Sequence, residues 1–183
     1  MKASPIPGAA ASTAAAALVE PTQYLTFMLA REPFAIGILR IKEIIEYQGV
    51  TEVPMMPACV RGVINLRGAV VPVMDLLARF GRAASEITKR TCIVIVEVET
   101  GDGRQVMGLM VDAVNEVLDI ASADIEPPPA FGARIRTDFL QGVGKVRGKF
   151  VLLLDVDRVL SIDEIAGLGD VAQDATLEAG LPA

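Results

Sequence analysis

RGVINLRGAVVPVMDL, residues 61–76, reads as one β-hairpin. Val63, Ile64 and Leu66 form one apolar run, and Val70, Val71 and Val73 form a second that ends at Asp75. Arg67-Gly68 stands between them. A tight hairpin turn needs positive φ, which glycine adopts at little cost. That explains Gly68. No turn rule demands Arg67, or Asn65 two places earlier.

The pattern returns eighty residues later. RGVINLRGAVVPVMD (61–75) lies over QGVGKVRGKFVLLLD (141–155) without a gap. Gly62/Gly142, Val63/Val143, Arg67/Arg147, Gly68/Gly148, Val71/Val151 and Asp75/Asp155 coincide. The four glycines, Gly62, Gly68, Gly142 and Gly148, read as turn residues. Upstream, residues 36–46 resemble 107–119 if the second copy carries two extra residues, so that Gly37 falls on Gly108 and Glu43 on Glu116. Each half, roughly 34–80 and 105–160, reads as strand, strand, proline break, hairpin. Short strands with small turns in duplicate suggest two small barrels, and a cleft between them is a natural binding site.

The composition suits that plan and narrows the chemistry. The chain of 183 residues is 52% hydrophobic but has six Phe, two Tyr and no Trp, so its core is aliphatic. A net charge of −6, with no Lys/Arg cluster, argues against a nucleic-acid surface. The absence of histidine removes Ser-His-Asp triads, Cys-His pairs, HExxH sites and phosphorelay histidines. Cys59 and Cys92 stand outside any CxxC pattern and read as buried thiols of a reduced cytoplasm, with a single disulfide as the alternative. No run of 18 apolar residues is present. The start, residues 1–22, is Ala/Pro-rich. Pro5, Pro7 and Gly8 interrupt what would be a signal peptide, and a disordered tail is the expected reading.

Along the body, YLTFML (24–29) and FAIGIL (34–39) read as strands, and RIKEIIEY (40–47) as a brief helical turn passing into a strand. Pro54 and Pro57 break the next segment. LLARFG (76–81) is a helical turn closed by Gly81. TCIVIVEVE (91–99) is apolar on both faces, as a central buried strand is, and emerges at Glu97 and Glu99. TGDGR turns into a partner strand, QVMGLMVDAV (105–114). Three prolines at 127–129 form a stiff connector. Ser161 with Glu164 makes a capping box for a C-terminal helix. The expected organisation is a tail over 1–22, one body of two intertwined barrels over 23–165, and a helix end with a flexible tail over 166–183.

The candidate sites each have two readings. Ile38, Ile41 and Ile44 recur at i, i+3, i+6, which fits a core stripe; with Leu25 and Val114 the stripe could instead line an apolar groove between barrels. Glu43 and Glu46 beside Lys42 form either a solvated face or a partner contact. Arg67 is either a surface charge or a functional one. The carboxylates are scattered along strands with no aromatic sugar platform, which disfavours a carboxylate-dependent enzyme. GDG at 101–103 is too short for a phosphate loop.

FAIGILRIKEII, VTEVPMMPACVRGVINLRGAVVPVMDL, MGLMVDAVNEVL and FLQGVGKVRGKFVLLLDVDRVL together resemble the CheW family of chemotaxis coupling proteins, over roughly residues 22–165. The resemblance implies an all-β fold of two SH3-like five-stranded β-barrels with short helices and a C-terminal helix. It implies a non-catalytic cytoplasmic adaptor without a cofactor or metal, joining the tip of methyl-accepting chemoreceptors to the regulatory domain of the CheA histidine kinase, and contacting other coupling proteins. The chemoreceptor-binding groove carried over by position is Leu25, Ile38, Ile41, Ile44 and Val114, with Glu43 and Arg67 as polar coupling positions. A parallel chemosensory pathway serving pili or development is the alternative.

Overall fold

The computed structural model describes residues 21–101, 103–128 and 137–161. Eleven strands in these residues make two sheets. They are β1 (Thr22–Leu29), β2 (Glu32–Gly37), β3 (Ile41–Glu46), β4 (Val60–Leu66), β5 (Ala69–Asp75), β6 (Cys92–Thr100), β7 (Gly103–Val111), β8 (Ala113–Ile120), β9 (Ile125–Glu126), β10 (Leu140–Val146) and β11 (Lys149–Leu154). Two one-turn helices follow the hairpins: α1 (Leu76–Arg79) after β5 and α2 (Val156–Val159) after β11. The expected C-terminal helix lies outside the described residues.

Barrel I has the order β3-β6-β7-β5-β4 and is contiguous in the chain. Barrel II has the order β8-β1-β2-β11-β10-β9 and takes its first hairpin from the N-terminal side of barrel I. The two are SH3-like β-barrels. Position by position the orders match: β3 with β8, β6 with β1, β7 with β2, β5 with β11, β4 with β10. Even the single parallel pairing recurs, β5 on β7 and β11 on β2. Barrel II carries a sixth strand, the two-residue β9, on Val143. Barrel I has its counterpart as the isolated bridge Thr51–Val63.

This register corrects the alignment of the repeat. Val73 lies opposite Gly108 and Leu153 opposite Ala35, so Gly108 corresponds to Ala35 rather than Gly37. Residues 34–46 and 107–119 then run in step with no insertion. The physical reason is space. A Cβ on Gly108 would stand 2.8 Å from Ile93 Cγ2 and 3.3 Å from Val73 Cγ2, inside barrel I, whereas one on Gly37 would meet nothing within 4 Å. The stretch 105–114 is also not one strand. It breaks at Asp112, where the chain leaves barrel I for barrel II.

Alternation along the strands builds three apolar clusters. Val71, Val73, Ile93, Ile95 and Met110 fill barrel I. Tyr24, Ala35, Ile120, Val151 and Leu153 fill barrel II. The opposite faces of the same strands meet in a larger shared cluster between the barrels, holding Leu25, Phe27, Phe34, Val94, Val96 and Leu109. That is why β6 is apolar on both faces. The scarce aromatics are concentrated there: Phe27, Phe34, Phe80 and Phe139 follow one another at centroid distances of 6.3, 5.9 and 5.9 Å. Burying each such ring is worth about 1.5–3 kcal/mol.

Candidate functional site

The β4–β5 turn places Arg67 at φ 52 and Gly68 at φ 87, the two positive values of a type I′ turn. Asn65 Oδ1 accepts the Gly68 N–H at 2.8 Å, so the asparagine serves the turn. Arginine in the left-handed region costs about 1–2 kcal/mol. What the side chain gains is a two-point ion pair with β3: Nη1 to Glu43 Oε1 at 3.0 Å and Nη2 to Glu43 Oε2 at 3.1 Å. β3 and β4 are the two edges of the sheet, so this pair spans the closure of barrel I. Its side chains are 79% and 25% exposed.

Barrel II repeats the arrangement. Arg147 and Gly148 have φ 51 and 76. Arg147 Nη1 approaches Glu116 Oε1, on β8, at 4.0 Å. Lys145, in the place of Asn65, pairs with Glu126 at 2.7 Å, and that hydrogen bond, reinforced by the carboxylate charge, raises the Lys145 pKa. The repeat had already set Glu116 against Glu43 and Arg147 against Arg67; the contact between each pair needed the folded chain.

Gly68 and Gly148 occupy turns. Gly62 and Gly142 do not. They sit inside β4 and β10 at register shifts of the ladder, where the bridging segment at Thr51 and the short strand β9 pass closely. A Cβ on Gly62 would stand 2.8 Å from the Thr51 carbonyl carbon, and one on Gly142 would stand 2.9 Å from Glu126 O.

The five positions of the expected groove separate by burial. Leu25 is 3% exposed and belongs to the shared core, so it is a floor at most. Ile41 and Val114 are symmetry mates on the edge strands β3 and β8, both half-buried against that core. Ile38 is half-buried in the 3₁₀ turn Ile38–Arg40 that leads into β3. Ile44 is 43% exposed, and its mate Val117, which the sequence reading missed, is 44% exposed. Ile41, Cys92 and Val114 all pack, partly buried, against the same shared cluster, so β3, β6 and β8 border one apolar region. The surface thus offers apolar edges over a filled core. Leu39, Val70 and Phe150 are further exposed apolar side chains, and the last two are again mates.

The polar interior is occupied by structural bonds. Asp75, fully buried, accepts from Leu77 N, Ala78 N, Ser85 N and Ser85 Oγ, with Arg61 Nε at 3.6 Å. A carboxylate with its lone pairs so taken caps α1 and anchors Ser85. Burial raises the pKa of both Cys59 and Cys92, the latter also through Glu46, so neither is an activated thiolate. Both are free.

The CheW-like domain model matches residues 23–164. The chain belongs to the CheW-like domain family. It is 32% identical to the Chemotaxis protein CheW of Klebsiella aerogenes over 82% of this chain and 89% of that one. It is 35% identical to the Chemotaxis protein CheW of Rhizobium meliloti over 78% and 89%, and 30% identical to Protein FrzA of Myxococcus xanthus over 69% and 82%. Among solved structures, the scaffolding protein TtCheW of Thermoanaerobacter tengcongensis is similar at TM-score 0.69 and 36% identity, over 76% of this chain and 87% of that one. Two interlocked barrels with short helices are therefore a CheW-type fold. Among the described residues no helix is long and apolar enough to cross a membrane.

Proposed function

We propose that this chain is a non-catalytic adaptor that couples methyl-accepting chemoreceptors to a CheA-type histidine kinase in bacterial chemotaxis. The observation that carries the reading is the match of the CheW-like domain over nearly all of the described chain, with relatives named as chemotaxis proteins that it covers almost end to end. The receptor tip, a helical hairpin, would lie along the apolar edges of β3 and β8, with Ile38, Ile41, Ile44 and Val114 as anchors and the Glu43–Arg67 pair at the rim. The kinase regulatory domain would contact the barrels elsewhere. The adaptor works in the cytoplasm, gathered at receptor clusters by these contacts alone.

The test is a titration of the full chain against a soluble receptor-tip fragment and against the kinase. The reading expects binding to both, and kinase activity that rises only when all three are present. No binding to either at tens of micromolar, on the order of −6 kcal/mol, ends it. A second reading, an adaptor for a parallel chemosensory pathway, is supported by the similarity to Protein FrzA. It expects binding to receptors and kinases of another signalling set with the same surface. A kinase-only binder would be a scaffold without receptor coupling.

A further inference from the structure

The chain passes between the barrels twice. It crosses from β2 to β3 through Ile38–Arg40, and from β7 to β8 through Asp112. The barrel register makes Leu39 the mate of Asp112, Arg40 of Ala113, and Ile41 of Val114. At the second crossing the chain is fastened. Asp112 Oδ2 accepts Ala30 N–H at 2.8 Å, Asp112 N–H donates to Met28 O at 3.0 Å, and Ala113 is 6% exposed.

The first crossing is built differently. Leu39 is 93% exposed. Arg40 Nη2 meets Asp157 Oδ2, on α2, at 2.6 Å. The other oxygen of Asp157 accepts the Glu99 N–H at the end of β6, at 3.3 Å. One carboxylate therefore holds both the crossing and the strand beyond it. The mates of Arg40 and Asp157 are Ala113 and Leu77, both buried and apolar. The far end of α2 is anchored to barrel I. Arg79, 7% exposed, donates from Nε to Val159 O at 2.8 Å and stacks over Phe139 at 4.6 Å.

We propose that Arg40 and Asp157 are positioning residues, forming an ionic latch that sets the shape of the Ile38–Ile41 turn and with it the isoleucine wall of the groove. The proposal rests on the coupling reading for its purpose but not for its mechanics. The two side chains are 40% and 34% exposed, so their attraction is modest and screened by salt. A crossing held this way opens at small cost, while its mate, fastened by buried contacts, does not. A receptor helix seated on Ile38 and Ile41 selects the latched arrangement.

Hydrogen exchange on the full chain tests the latch. In Arg40→Met and in Asp157→Asn, amides of the 38–41 turn exchange roughly three- to fivefold faster, as an exposed ion pair allows. The double variant is no faster than either single one, and Arg40→Lys returns to near the wild-type rate. About 0.5 M NaCl narrows the gap between wild type and variants. Amides across Val111–Val114 do not change. Calorimetric affinity for a receptor-tip hairpin falls by a similar factor in the two single variants and recovers in Arg40→Lys. Unchanged exchange at 38–41, additive effects in the double variant, or an equal change at 111–114 overturns the latch. Should Asp157→Asn disturb α2 itself, Arg40→Met decides, because it leaves the Glu99 contact in place. If wild type binds no receptor fragment, the coupling reading fails, and the exchange pattern still decides the latch.

Discussion

Arg67→Asn separates a brace from a partner contact. The wild-type turn holds arginine at φ 52, at a cost of about 1–2 kcal/mol. Asparagine tolerates that region and makes Asn-Gly, the preferred pair for a type I′ turn. The substitution also removes the ion pair with Glu43. With Arg67 79% exposed, that pair contributes between about 0 and 1 kcal/mol. The two effects oppose each other, and together these figures leave a net change between about 0 and 2 kcal/mol of stabilisation. Urea denaturation at low and high salt measures it. Kinase activation in a reconstituted receptor complex should nevertheless fall severalfold, and Arg147→Asn should match the stability result without the functional loss. A destabilisation beyond about 2 kcal/mol would mean that Arg67 holds the barrel shut, since only loss of a buried contact reaches that size. Equal activity with unchanged stability would remove Arg67 from the site.

The remaining predictions concern backbone, surface, pH and thiols. Gly62→Ala should cost roughly 2 kcal/mol or more, because its φ of +153 and the Thr51 backbone leave no room; Gly68→Ala, with open space around it, should cost only about 1. The reverse order of urea midpoints would contradict the strand-crossing role of Gly62. Ile44→Asp and Val117→Asp should retain native circular dichroism and lose receptor binding, since each side is already nearly half exposed; unfolding in either would return that position to the core. Glu97 has its pKa lowered from 4.5, first by the Lys42 hydrogen bond and then by Lys42 and Arg104 charge. Its contribution is present above the ordinary value and is lost as pH falls through the lowered one, so Glu97→Gln should flatten the acid limb of stability against pH below 4.5. Iodoacetamide at neutral pH should label Cys92 slowly and Cys59 only after unfolding, read by mass spectrometry; fast labelling of either native thiol would contradict their protonated, sheltered state.

The repeat was legible because its glycines and aspartates answer to local geometry. Gly68 and Gly148 sit at positive φ, and Asp75 and Asp155 cap one-turn helices. Strand β6 was legible from its two apolar faces. What stayed hidden depends on which strands become neighbours. Nothing local says that β1 and β2 leave for the far barrel, so 105–114 read as one strand. Gly62 read as a turn residue because the strand crossing over it lies eleven residues upstream. Periodicity placed Ile38, Ile41 and Ile44 on one stripe, but burial separates them, because the bulge between Ile41 and Glu43 turns the strand partway along.

Departures from the twofold relation are of two kinds, and only one is forced. Arg79 and Val159 are mates, and they touch each other near the pseudo-axis, guanidinium to carbonyl at 2.8 Å. A second arginine at 159 would bring a like charge beside the buried Arg79 guanidinium. A duplicated fold must break symmetry at such a place. Arg40 pairs with Asp157, whereas their mates Ala113 and Leu77 are both buried and apolar, and nothing at the Arg79–Val159 contact requires that difference. The second crossing is fastened through Asp112 to Ala30 and Met28, yet the crossing beside the isoleucines carries an exposed ion pair. An exposed pair holds less firmly than buried contacts, so the first crossing is the easier of the two to open. The Glu43–Arg67 and Glu116–Arg147 pairs make the converse case. Both halves keep them, which suits a role in closing each barrel; any further role for Arg67 must come from what adjoins the pair, such as Ile44 next to Glu43 on β3, rather than from the pair itself.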